Sequence, residues 1–177
     1  HKIESEGNVN FTSSKGYNGV GDKLNFSMKN NLINIFGNNA LLNMENLIMK
    51  SNKYIMIDDS KGKFKLEGSI SELTTDNMNI IGSSIDGSYQ EINGINEINN
   101  LIVKSDEITE ITTDKLKMFS SKAVYSKKDN IIELFDNVKV IRNNEIIVGD
   151  YAKVNTLNES YKVSSKESNK VKILIDN

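Results

Sequence analysis

The chain has 177 residues, 37% of them hydrophobic, and a formal net charge of −2, a balance that permits a packed core and leaves no electrostatic footprint for nucleic acid. It contains no Cys, and His1 is its only histidine. That excludes a disulfide framework and leaves neither a zinc ligand set nor a Ser-His or Cys-His nucleophile system.

From the N-terminus, Gly7-Asn8-Val9-x-Phe11 places Val9 and Phe11 on one face of a strand. Gly16 to Gly21 reads GYNGVG and predicts a glycine turn; its spacing is not that of a dinucleotide-binding loop. Gly21-Asp22-Lys23-Leu24 follows. A self-match then runs at an offset of 99 residues: Phe26 with Tyr125, Asn31-Leu32-Ile33 with Asn130-Ile131-Ile132, Ile35-Phe36 with Leu134-Phe135, Leu41 with Val140, and Leu47-Ile48-Met49 with Ile146-Ile147-Val148. Residues 40–50 are the best helical rival, but the matching copy at 139–149 reads as strand. Lys63 to Ile70 continues the alternation. Leu73-Thr74-Thr75-Asp76 returns 38 residues later as Ile111-Thr112-Thr113-Asp114. Residues 83–100 are the least regular, with hairpin turns predicted at Asp86-Gly87 and Asn93-Gly94.

Residues 122–163 carry the plainest pattern, a β-meander. The pairs Ala123/Tyr125, Ile132/Leu134, Val138/Val140, Ile146/Val148, Ala152/Val154 and Tyr161/Val163 are separated by the polar turns KKDN, DN, RNN and TLNES. Repeats of this kind bury their apolar face only by stacking on neighbours. The expectation is an all-β chain of roughly 14–17 short antiparallel strands. It forms one domain over 2–176, with repeats near 5–62, 63–121 and 122–176 and no helix longer than two turns in 20–176.

Catalysis finds little support. Asp58 with Asp59, or Glu107 with Glu110 and Asp114, could serve a glycosidase, but they read more simply as solvated turns and strand faces. Glu107 and Glu110 have opposite parity and so fall on opposite faces of a strand. No patterned calcium loop occurs. The three Asn-x-Ser/Thr sequons, at Asn10, Asn25 and Asn158, are expected by accident among 26 Asn. No enzyme activity, cofactor or metal is expected.

The order Ala123-x-Tyr125, turn, Ile132-x-Leu134, Asp136-Asn137-Val138-x-Val140, turn, Gly149-Asp150-Tyr151-Ala152 resembles the repeat of the LptA/OstA-type lipopolysaccharide-transport proteins. There Gly-Asn-Val is usual where Asp136-Asn137-Val138 stands. The closing segment Asn169-Lys170-Val171-Lys172-Ile173-Leu174-Ile175 resembles that family's ending, with Lys170 for Arg. The Thr-Thr-Asp element resembles a strand of the related LptC domain, and Ser69 replaces the usual Asn in Gly68-Ser69-Ile70. The resemblance implies an open, twisted β-jellyroll of two antiparallel sheets. It also implies a periplasmic protein bridging inner and outer membranes with lipopolysaccharide or lipid A as cargo, or a membrane-anchored LptC-like component of the same route. LptC- and LptD-like jellyroll domains would be its partners. A chain opening on His1 is then expected to have lost a signal peptide or anchor. A structural or adhesive β-repeat protein is the rival outside that family.

The apolar stripe serves either as an ordinary sandwich core or, if the sheets splay, as a trough for acyl chains at roughly 0.8 kcal/mol per buried methylene. Its expected members are Phe26, Ile35, Met49, Phe64, Leu66, Met78, Met118, Tyr125, Ile132, Leu134, Val138, Val140 and Val148. The end strands, with Val9 and Phe11 at one end and Val171, Ile173 and Ile175 alternating with Lys172, Leu174 and Asp176 at the other, carry no Pro to stop a neighbour pairing. They are expected to join copies head to tail.

Overall fold

The computed structural model describes residues 1–166 and 170–175. All regular structure in them is β. In chain order the strands are β1 (Lys2–Thr12), β2 (Asn18–Ser27), β3 (Leu32–Phe36), β4 (Ala40–Met44), β5 (Leu47–Ser51), β6 (Tyr54–Asp58), β7 (Lys63–Thr74), β8 (Asn79–Ile92), β9 (Ile95–Thr112), β10 (Lys117–Ser126), β11 (Ile131–Arg142), β12 (Glu145–Asn155), β13 (Tyr161–Ser164) and β14 (Lys172–Ile175). Residues 40–50 form the hairpin β4–β5, and alternation overrides their helical reading.

The strands form one continuously paired antiparallel sheet. It is folded into two wings along a line where the registers break, at Glu6/Val9, Glu67/Ser71, Ile81/Ser84, Phe119/Lys122 and Phe135/Val138. β7 makes the arrangement plain: Lys63–Glu67 pairs with β6, whereas Ser71–Thr74 pairs with β5. The first wing therefore holds β3, β6 and β13 with one half of each long strand. The second holds β4, β5 and β14 with the other halves. A bulge bends a strand and sharpens its twist, so a row of bulges folds a sheet upon itself.

The Gly-Asn-Val and Gly-Asp elements are the chemistry of this bend. Gly7 and Asn8 adopt positive φ (85° and 48°), and so do Asp136 and Asn137 (57° and 53°). Each pair is followed by a valine that sits opposite a glycine, Val9 on Gly21 and Val138 on Gly149. At Gly149 a Cβ would meet Val163 Cγ1 at 2.6 Å and the Ser164 carbonyl at 2.7 Å, so only glycine lets the next strand close in. The adjoining aspartates have equivalent work. Asp22 accepts the Asn38 backbone N–H at 3.3 Å, and Asp150 accepts that of Lys166 at 2.8 Å.

Three sequence expectations need correction. Asp86-Gly87 is not a turn: it lies within β8, where Gly87 leaves room for the Phe64 ring. The turn falls at Asn93-Gly94, whose φ values of 53° and 82° suit a tight hairpin. GYNGVG is a turn only at its start, and from Asn18 it is β2. Val148 does not face inward; its neighbour Ile147 does. Val148 lies opposite outward Lys139, and Ile147 opposite buried Val140. The bulge at Asp136-Asn137 of β11, opposite Asp150, shifts the phase of β12 between Gly149 and Ala152. Alternation carried through it puts every earlier residue on the wrong face.

Candidate functional site

The inward faces of the two wings meet in one apolar cluster. Of the expected stripe, Ile35, Met49, Phe64, Leu66, Met118, Ile132, Leu134, Val138 and Val140 are 2% exposed or less. Met78 and Tyr125 are slightly more open, and Phe26 packs on the cluster partly buried. Val148 stands outside it. The stripe is thus a filled interior over most of its length. It also includes Leu42, Met44, Leu47, Ile55, Ile57, Leu73, Ile80 and Ile85, which strand alternation alone identifies once the bulges are placed.

Opposite the bend the wings end in hairpin tips, and polar side chains tie these tips across the mouth. Near the N-terminal end, Asp59 of the β6–β7 turn accepts hydrogen bonds from the Tyr17 and Tyr89 hydroxyls, each at 3.0 Å, and from Lys15 Nζ at 2.7 Å. Its carboxylate is only 9% exposed. Burial raises its pKa, but the three donors outweigh this and hold it below the usual carboxylate range. Burial and the same carboxylate push both phenols well up. Asp59 is therefore not the solvated turn residue expected from the sequence. Next, Asn46 of the β4–β5 turn clasps the Asn96 backbone, donating to its carbonyl at 2.8 Å and accepting its N–H at 3.1 Å. Further along, Glu159 accepts from Thr113 Oγ1 at 3.0 Å and pairs with Lys115 at 3.2 Å. At the C-terminal end the Tyr161 hydroxyl donates to Glu145 at 3.0 Å. None of these ties had a sequence signal, because each joins tips far apart in the chain.

Two cavities, of about 180 Å³ and about 420 Å³, open at the mouth and share Asn77, Met78, Tyr125 and Lys127. The tip beside them, Thr75–Met78, repeats at Thr113–Leu116. In both, the threonine N–H reaches the carbonyl three residues on (2.8 and 2.9 Å) and its hydroxyl accepts that residue's N–H (3.0 and 3.2 Å). The Thr-Thr-Asp repeat is thus a turn device.

The ends of the molecule differ. β1 borders both wings, with Val9 and Phe11 partly buried against the cluster. At the other end β13 and β14 each lie on β12. β14 covers Glu145–Val148, with Ile173 opposite Ile147, and Val171, Ile173 and Ile175 are 39, 57 and 70% exposed. Asn169 and Asp176 of the expected closing segment lie outside the described residues.

No described protein family matches the sequence, and no curated protein resembles it. The fold does have a counterpart among solved structures. The crystal structure of LptH, the LptA homologous periplasmic component of the conserved lipopolysaccharide transport device from Pseudomonas aeruginosa, superposes with a TM-score of 0.61 at 13% identity. The match covers 74% of this chain and 95% of that one. The β-jellyroll of the LptA type is therefore the fold of this chain.

Proposed function

We propose that this protein is a periplasmic carrier of lipopolysaccharide, holding acyl chains between its wings while the sugars stay outside. The observation that carries this reading is the single apolar interior, which runs from the β1 end to the β12 end and is flanked along one side by a mouth of hairpin tips. Likeness in fold to the periplasmic LptH supports the same reading. Carriage makes and breaks no bond, and the side chains named at the mouth meet one another in hydrogen bonds and ion pairs. The edges suit an assembly: β14 presents Ile173, Leu174 and Ile175 largely uncovered. Another copy, or an LptC- or LptD-like jellyroll domain, would add β1 there and prolong the interior head to tail.

A photo-crosslinking residue at inward Leu134 is expected to capture lipopolysaccharide, and one at outward Glu133 is not. Equal capture at both, or at neither, refutes the carrier reading.

A further inference from the structure

We infer that the interval between the turns Thr75–Met78 and Lys127–Asn130 is the port through which an acyl chain passes into the interior. We infer further that it accepts amphiphiles whose group next to the chain is uncharged and donates a hydrogen bond. The inference rests on the carrier reading above and names where, and with what chemistry, the cargo is taken up.

Three features single out this interval. Among the described residues the two turns have no hydrogen bond or ion pair to each other, whereas the Asn46–Asn96 clasp closes the mouth on one side and the Glu159 cluster on the other. Both cavities meet here, over Met78 and Tyr125, which at 9% are among the least covered members of the core. A chain inserted at this point reaches the apolar interior without breaking a polar tie. Its floor is continuous with the packed stripe.

Asn96 supplies the chemistry. It lines the smaller cavity and is 4% exposed. Its backbone is satisfied by Asn46, yet its side-chain oxygen is buried with no partner. A buried amide oxygen calls for a donor. A hydroxyl or amide N–H at the base of an acyl chain fits that need. The rim selects against a phosphate. Among the residues that line the two cavities, Asp76, Glu97, Asp114 and Glu159 outnumber Lys115 and Lys127 by two, and both lysines are already paired, Lys127 with Glu97 and Lys115 with Glu159. An anionic group at the port would meet like charge, so any phosphate on the cargo must lie beyond this rim.

The absence of Cys makes the test clean. Asn77→Cys/Asn130→Cys, bridged by a bismaleimide with a reducible disulfide in its linker, staples the interval shut. The single variants capped with N-ethylmaleimide are the controls. The probes are N-decanoylethanolamine, methyl decanoate, decyl phosphate and lipopolysaccharide, with uptake followed by native mass spectrometry and folding by circular dichroism. The staple is expected to slow N-decanoylethanolamine uptake at least ~10-fold, with recovery on reduction, since entry through either flanking stretch of the mouth breaks a polar tie. The unstapled protein is expected to prefer N-decanoylethanolamine to methyl decanoate by about five-fold, the worth of one hydrogen bond, and Asn96→Leu is expected to abolish that preference. Undiminished uptake by the stapled protein, or preference for decyl phosphate, overturns the port while leaving the carrier reading intact. If the unstapled protein takes up neither lipopolysaccharide nor any decanoyl probe, the carrier reading fails and the port with it.

Discussion

The tie at Asp59 gathers three donors on one largely buried carboxylate, and its removal has a calculable effect. In Asp59→Ala the Tyr17 and Tyr89 hydroxyls, on residues each 6% exposed, lose the oxygen they share at 3.0 Å. A hydrogen bond to a charged group contributes about 1.5–3 kcal/mol, so the pair is worth about 3 kcal/mol at the lower bound. Lys15 is 55% exposed, and its ion pair adds under about 1 kcal/mol because water screens it. For a chain of this length 1 kcal/mol moves the melting temperature by about 2–4 °C, so Asp59→Ala is expected to melt about 6–12 °C lower. Lys15→Ala is expected to lower it by under about 4 °C. The pH dependence has a definite sign. Asp59 titrates below its ordinary value, so its stabilisation is complete above the unfolded carboxylate pKa and is lost as pH falls through the depressed folded value. The gap between wild type and Asp59→Ala is expected to be full at neutral pH and to shrink below about pH 4. Thermal unfolding followed by circular dichroism decides the matter. A loss under about 2 °C at neutral pH, or a gap undiminished at about pH 2, would show that the carboxylate ties nothing.

The corrected facing of β12 predicts that Ile147→Asp, at a 9% exposed inward position, destabilises by at least about 3 kcal/mol, whereas Val148→Asp stays within about 1 kcal/mol. Equal denaturant midpoints would restore the other phase. Ile173→Lys with Ile175→Lys charges the uncovered β14 edge and is expected to abolish any head-to-tail association of the wild type seen by light scattering, with little change in melting. A wild-type chain that stays monomeric at high concentration refutes the assembly.

Much of the fold was legible because its repeating chemistry is local. Asn8 and Asn137 tolerate the left-handed conformation, a valine follows each, and a Gly-Asp pair completes the bend, so the motif announces itself within about 20 residues. The phase of each strand beyond its bulge was not legible. Gly149 and Ala152 both face the neighbouring valine–leucine row of β11 although they are three positions apart, because the extra residue lies across the ladder at Asp136-Asn137 and nothing in Gly149-Asp150-Tyr151 itself marks the change of phase. The ties across the mouth were invisible for another reason. Tyr17 and Asp59, or Asn46 and Asn96, meet only because two wings fold together, and neither partner carries a mark of the other.

The line of bulges has a mechanical consequence. Its residues sit between two intact ladders, so a small rotation about them changes the angle between the wings without breaking a ladder hydrogen bond. Resistance to opening then comes from the interior contacts and from separate fasteners spaced along the mouth. Such a body can dilate one interval at a time. On the carrier reading proposed above, cargo would travel through it as a moving local swelling, in the manner of peristalsis. It would cross a succession of small barriers, each about the size of one polar tie, and never face the whole interior at once.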